Sequence, residues 1–409
     1  MMVSFNSVMT VVDAERLRAV RDRVWQHMAA NRFAGADPFD GLHSKYTGSV
    51  ILRHRISRLA WLQAMKHAPA KIRDCAAIPP MVNPKTLALL LGAGAGVPVS
   101  DWTVSPTSSA GTFNRAKIAM DLTRQLLALQ NPDGGWGYPF AWQARAFFAQ
   151  SGQSNAIVTC FVVDGLLNGG KMPPDHPALQ AAAVFLQRDL WRKPPAAGAD
   201  GGYFGYIAGA DAEIYNVTLW AAWILWRLVP GNPCSQPAID RVLGQQRADG
   251  AWVYGRRAHH GFVDGFHSGY ILDLLHRLDH AGWPGLEKAM DRGWEFYQRA
   301  CFDGQGLPRS FAGKNRYLDS HAVAQAMATL QRFGAFAQAR NVALFAIDHL
   351  FDQNRGVFYA GIGRFGKDRR VFMRWTQAWM VWAVSIMLDK QTPGIGKQAN
   401  REDDGTALF

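Results

Sequence analysis

The chain has 409 residues, of which 48% are hydrophobic and 19% charged, with 15 Trp, 23 Phe and 10 Tyr. That stock of large apolar side chains can fill a sizeable core and excludes disorder for most of the chain. Lys and Arg number 44 against 32 acidic residues, a formal charge of +12, which favours an acidic partner. The excess is scattered, and the lack of a dense Lys/Arg run argues against nucleic acid.

Cys75, Cys160, Cys234 and Cys301 stand far apart with no Cys-x-x-Cys pair, so neither a zinc pattern nor a disulfide framework is present. No metal and no cofactor is expected, and a reducing, cytoplasmic setting fits. The first dozen residues lack a basic, long apolar leader. Residues 86–99 are too short and Gly-rich for a membrane span, and 371–388 carry Arg374 and Gln377, so no transmembrane segment is expected.

In chain order, residues 1–80 contain helical stretches at 14–31 and 49–66, joined by the turn-rich run Asp37-Pro-Phe-Asp-Gly-Leu42. They are expected as an N-terminal helical extension docked on the main domain. From 81 to 390 a unit repeats. A Gly-containing turn with aromatic neighbours recurs at 133–138, 200–206, 249–254, 303–306 and 354–359, each followed by an apolar run, at 155–167, 215–228, 267–278, 320–333 and 374–388. A sixth run lies at 84–92.

The run 215–228 is apolar on nearly every face, as expected of a helix enclosed by other helices. Segments 114–129, 177–190, 237–246, 286–300 and 336–351 carry charges on one side and are predicted as outer helices. The repeat spacing of roughly fifty to sixty residues gives units that cannot bury an apolar face alone, so the stack must close or be capped. The predicted fold is all-α, an (α/α)6 toroid of helical hairpins with extra N-terminal helices. Residues 391–409 have no apolar periodicity and read as a disordered tail.

Two turns, 130–136 and 246–252, fit Gln-x-x-x-Gly-x-Trp, which resembles the repeat motif of squalene and hopene cyclases. The resemblance implies a toroid in which Gln and Trp tie one outer helix to its neighbour. The Asp-x-Asp-Asp acid motif of those cyclases is missing, as is Asp-Asp-x-x-Asp. A longer resemblance is to uncharacterised toroid proteins encoded with bacterial surface-polysaccharide biosynthesis genes. It is carried by Asp37-Pro-Phe-Asp-Gly-Leu42, the stretch 134–148, Tyr215-Asn216, Val263-Asp-Gly-Phe-His-Ser-Gly-Tyr270, Asp319-Ser-His-Ala-Val-Ala-Gln325 and Met373-Arg-Trp-Thr-Gln-Ala-Trp379. It implies a polysaccharide-related role and supplies no reaction.

In a toroid the loops entering the inner helices share one mouth, so polar residues at those starts converge. Glu213, Tyr215 and Asn216 open one inner run; Asp264, His267 and Tyr270 the next; Asp319, His321 and Gln325 the third; Arg374 and Gln377 the last. Trp142, Gln143 and Arg145 lie in the long loop before residue 155. Asp264 and Asp319 also fit as helix N-caps, and His267 and His321 as hydrogen-bonded interior histidines. Arg374, at the head of an apolar helix, must be paired or must face an anion.

Glu213, Asp264, His267, Asp319 and His321 are the candidate catalytic residues. The first, second and fourth offer carboxyl groups for glycosidic cleavage, whereas the histidines or Tyr215 offer a base for proton abstraction beside a uronate carboxylate, which Arg374 or Asn216 would neutralise. Trp142, Gln143, Arg145, Tyr215, Asn216, Tyr270, Gln325, Arg374 and Gln377 are the candidate substrate-binding set. The expected function is that of a carbohydrate-active enzyme of surface-polysaccharide biosynthesis, a hydrolase, lyase or epimerase acting on an oligosaccharide or polysaccharide of acidic or neutral character. Contact with membrane-associated polysaccharide assembly machinery goes with it. The alternatives are an isoprenoid cyclase or transferase and a non-catalytic glycan-binding assembly factor.

Overall fold

A computed structural model describes residues 9–94, 115–193, 201–314 and 317–389. Residue 114, Asp200 and the tail 391–409, where disorder is expected, lie outside the described residues. In chain order the helices are α1 (Val11–Ala30), α2 (Ser49–Arg53), α3 (Arg55–His67), α4 (Ala70–Cys75), α5 (Pro84–Ala93), α6 (Arg115–Ala128), α7 (Ala156–Asn168), α8 (Pro177–Phe185), α9 (Tyr215–Leu228), α10 (Ser235–Gly244), α11 (Gly265–His280), α12 (Glu287–Ala300), α13 (Ser320–Arg332), α14 (Phe336–His349) and α15 (Trp379–Leu388).

The architecture is the (α/α)6 toroid expected from the repeats. Inner helices α5, α7, α9, α11, α13 and α15 each pack on the next, and α15 returns to α5, closing the ring. Burial separates the two layers. Every residue of α13 from Ser320 to Leu330 is buried, whereas α12 buries only Met290, Gly293, Phe296 and Tyr297, one face of an amphipathic helix. The sixth outer place is taken by the first helix of the chain: α1 packs on α15 and α14, with Asp13 paired to Arg340 at 2.6 Å and Arg16 to Asp348.

The repeated turns are built alike. Gln130 Nε2 donates to the carbonyls of Gly134 (2.9 Å) and Ala178 (2.8 Å), and Trp136 Nε1 donates to Leu126 O at 2.7 Å. Gln246 reaches Gly250 O (3.0 Å) and Ala289 O (2.9 Å), and Trp252 reaches Val242 O at 2.8 Å. Each motif therefore joins the end of one outer helix to the start of the next. Gly134 (φ +93°) and Gly250 (φ +91°) sit in the left-handed region, and a Cβ at either would collide with a backbone carbonyl of the neighbouring outer helix.

Ion pairs cross between the C-terminal halves of the inner helices. Arg277 lies 3.0 Å from Asp164 and 3.4 Å from Asp273, Arg227 lies 3.3 Å from Asp164, and Arg332 pairs with Asp273. Arg227 and Arg332 lie in the last turns of inner helices, where a cation is favoured. The inner helices begin at the opposite mouth. Among the described residues no helix is long and apolar enough to cross a membrane.

Candidate active site

Four inner helices open on a side-chain cap: Asn83, Asn155, Asp264 and Asp319 each accept a backbone N–H of the first turn. Capping explains why acids and amides crowd the mouth. Two of the caps do more. Asp264 Oδ1 accepts from His267 N at 2.8 Å, and its Oδ2 lies 2.7 Å from His267 Nδ1. With the proton on Nδ1, Nε2 is left as an acceptor, and it meets no hydrogen-bonding partner among the described residues.

Asp319 Oδ1 accepts from His321 N at 2.8 Å, and Trp375 Nε1 donates to Oδ1 at 3.0 Å and to Oδ2 at 3.1 Å. Burial nonetheless dominates and raises its pKa from 3.8 to about 6, against the pull of those bonds and of the Lys66 ammonium, while Asp264 adds repulsion. The residue keeps part of its surface accessible although protein surrounds it, so it faces a recess rather than open solvent.

Phe266, His267, Asp319, Trp375, Phe39, Lys66 and Trp142 are partly accessible, whereas Asp264, Tyr270, His321 and Lys85 are buried behind them. Phe266 is the hinge of the cluster, with ring centres 4.1 Å from His267 and 4.6 Å from His321. His321 is 1% exposed, stacked 4.4 Å from Trp379, and its Nε2 lies 2.6 Å from Tyr270 Oη. Burial, then the positive charges of Lys85 and Arg374, push its pKa well below the usual histidine value, so it is neutral.

Lys85 is 3% exposed and holds Nζ 3.7 Å above the Phe161 ring and 5.1 Å from that of Trp379. Burial, reinforced by Arg374, lowers its pKa well below the usual lysine value, with Asp37 acting in the opposite direction.

The motif Asp37–Leu42, read from composition as a turn-rich linker, pins the N-terminal segment across the mouth. Asp37 receives Arg374 through two bonds of 2.6 and 2.8 Å, and Asp40 receives Arg73 at 2.5 Å. Burial tends to lower the Arg374 pKa, but Asp37 outweighs it and the net shift is upward. The Phe39 ring sits 5.4 Å from Trp375 and 6.3 Å from Trp142. A cavity of about 510 Å³ lies between α3 and the 142–145 loop, with Phe39, Ile56, Leu59, Lys66, Trp142 and Arg145 among its walls. Through Phe39 and Lys66 it adjoins the Asp319 recess.

Asp264, His267, Tyr270, Asp319 and His321 thus come together. Trp142, Gln143 and Arg145 border the neighbouring cavity, with Gln143 Oε1 accepting from Arg58 Nε at 2.8 Å. The rest stand elsewhere. Glu213 is clamped by Arg241 at 2.7 and 2.9 Å on the outer side. Tyr215 Oη reaches Gln245 at 3.1 Å, and Asn216 and Gln325 are buried in the ring wall. Gln377 binds both backbone groups of Phe358 at 2.8 and 2.7 Å, and Thr159 and Thr218 likewise accept from the backbone N–H of Trp136 and Phe204. Arg374 is satisfied by Asp37, so its charge needs no substrate anion. Sequence reasoning missed Asp37, Phe39, Lys66, Lys85 and Trp375. Asp37, Phe39 and Trp375 lie in the blocks Asp37–Leu42 and Met373–Trp379 that carry the resemblance, which is the signal that could have found them; Lys66 and Lys85 carry none.

Among the described residues no three His, Cys, Asp or Glu side chains are grouped so as to hold a metal ion.

The sequence matches no protein-family model and no curated protein. Among solved structures it is similar to a sugar epimerase from a ruminal bacterium (TM-score 0.51, 14% identity, covering 78% of this chain and 91% of that one). It is also similar to the cellobiose 2-epimerases of Bacillus thermoamylovorans (0.51, 10%, 76% and 90%) and Spirochaeta thermophila (0.50, 14%, 75% and 85%). At these identities the likeness is one of fold, an α/α toroid.

Proposed function

We propose that this chain is a carbohydrate-active enzyme that moves protons on a sugar, with His267 as base and Asp319 as acid. The observation that carries the reading is the pairing of a carboxyl-oriented imidazole, open at Nε2, with a carboxyl that stays protonated up to about pH 6. His267 takes a proton from the carbon beside a sugar carbonyl. Charge then develops on the carbonyl oxygen, to which Asp319 gives its proton. Return of a proton to the opposite face yields an epimer, return to the adjacent carbon yields an isomer, and loss of a leaving group yields an unsaturated product. Positioned acid and base groups of this kind contribute about 100- to 10,000-fold each.

Glycosidic hydrolysis fits less well, because it uses two carboxyl groups flanking the bond and Asp264 is committed to His267. The names of the epimerases above support the sugar-epimerising version at the level of fold, and the resemblance to polysaccharide-cluster toroids supports a role in making bacterial surface polysaccharide. Lys66 and Arg145 suit an acidic sugar. Isoprenoid cyclisation wants an apolar, aromatic cavity, and the charges of Asp319 and Lys66 argue against it. A non-catalytic glycan-binding factor would bind without turnover.

The test is to incubate purified protein with reducing oligosaccharides and with uronate polymers and to read the products by NMR and ultraviolet absorbance. The reading expects an epimer, a ketose or an unsaturated uronate, lost in His267→Gln. New saturated reducing ends without any of these would replace it with hydrolysis.

A further inference from the structure

Next to the cavity lies a second feature that the sugar chemistry uses only at Lys66 and the Ile56 wall. Between residues 41 and 73 there are seven Lys or Arg residues and no Asp or Glu, although the whole chain has 44 against 32. Lys45, Arg53, Arg55 and Lys71 of this stretch are exposed. Large apolar side chains in the same stretch are exposed among them: Ile56 at 79%, Ile72 at 52% and Leu52 at 40%.

A hairpin beside this stretch repeats the combination. Strands Gly361–Gly363 and Gly366–Asp368 pair antiparallel, and the first also pairs with Tyr317–Asp319, the strand that leads into α13. The tip is therefore held in register rather than loose. It presents Phe365, 99% exposed, between Arg364 and Lys367, both exposed. Arg370, just beyond the second strand, donates to the carbonyls of Lys66 in the last turn of α3 and Ala68 just after it, which fixes the hairpin against the basic stretch.

We propose that this face docks on an anionic membrane surface, with Phe365 and the Leu52–Ile56 corner entering the headgroup region and the flanking Lys and Arg meeting lipid phosphates. An apolar tip ringed by cations is the arrangement an interfacial anchor needs: buried apolar area holds it in the boundary, and basic side chains draw it to anionic lipid. A soluble polyanion would account for the cations but would leave Phe365 and Ile56 in water. The protein lies on the bilayer with its recess turned toward that side. The inference does not rest on the proposed sugar chemistry.

Full-length protein is sedimented with vesicles of phosphatidylcholine alone and with vesicles in which phosphatidylglycerol replaces part of it, at low and high salt. The expected result is binding to the mixed vesicles only, weakened by salt, and reduced about tenfold or more by Phe365→Asp and by Ile56→Asp. Phe365 touches no core, so its variant keeps the wild-type melting temperature even if Ile56→Asp does not. Failure to bind mixed vesicles overturns the proposal. So does undiminished binding by Phe365→Asp alongside loss in Arg53→Glu, which would mean that charge alone holds the protein to the vesicle and that no apolar anchor enters it. Vesicle binding without sugar turnover, or turnover without vesicle binding, separates this proposal from the proposed function.

Discussion

The Asp264 carboxyl holds His267 at two points, its backbone N–H at 2.8 Å and its ring Nδ1 at 2.7 Å. One side chain is thus both helix cap and imidazole orienter. Asp264→Asn keeps a capping oxygen but removes the charge beside the ring. Turnover is expected to fall by about a hundredfold or more, while the melting temperature changes little. Asp264→Ala loses the cap as well and costs about 1 kcal/mol of stability in addition. Equal activity in wild type and Asp264→Asn would leave the residue a cap alone.

Asp319 gives a pH signature. Its folded pKa of about 6 lies above the ordinary 3.8, so the native state binds a proton more readily than the unfolded chain between those values. The stabilisation from the protonated carboxyl is therefore complete below the lower value and is lost as pH rises toward the upper one. Asp40, also raised to about 6 by burial, titrates in the same window. Denaturant unfolding of Asp319→Asn should show a flatter pH dependence over this range, with the Asp40 share remaining. In the wild type, turnover should decline above about pH 6 as the acid loses its proton, and Asp319→Asn should lack that limb.

The Asp37–Arg374 pair is buried on both sides, with side-chain exposures of 5% and 4%. Removing one partner strands a charge, so Arg374→Met or Asp37→Asn is expected to cost about 3–5 kcal/mol, and the double variant is expected to recover part of that. Urea denaturation of the four proteins reads the coupling. Additive losses would mean that the two residues do not act as a pair.

Gly134 and Gly250 test the repeat itself. Alanine at either position combines a positive φ with a clash against the next outer helix. We expect a loss of about 2 kcal/mol or more for each, well above the about 1 kcal/mol typical of substitutions in general. A control at Gly282, whose φ is also positive but whose surroundings are open, should cost less. Equal costs at all three would assign the effect to backbone conformation alone.

The ring could be read from the sequence because its repeat is local: each aromatic glycine turn sits next to the helix it introduces, and Trp136 and Trp252 find their carbonyl partners ten residues away. The histidines and acids of the mouth were legible for the same reason, since Asp264 and His267 share one turn. Partnerships across the ring were not. Asp37 and Arg374 are 337 positions apart, and nothing in either neighbourhood names the other. Glu213, Tyr215 and Gln377 begin inner helices as expected, yet a one-residue change of direction on a helix start decides whether a side chain meets the recess or the outer layer. Lys85 hid inside an apolar run as though it were an ordinary surface lysine. Its burial follows from ring closure by α15, which no local pattern announces.

The central claim is that His267 and Asp319 exchange protons with a sugar. It is tested most directly by turnover in D2O, with deuterium located in the product by NMR. In an epimer or isomer, solvent deuterium is expected on carbon at or next to the former carbonyl, absent in His267→Gln and much reduced in Asp264→Asn, whereas an unsaturated product carries none. An epimer or isomer with every carbon-bound hydrogen unlabelled, or turnover of any kind that survives His267→Gln unchanged, would contradict it.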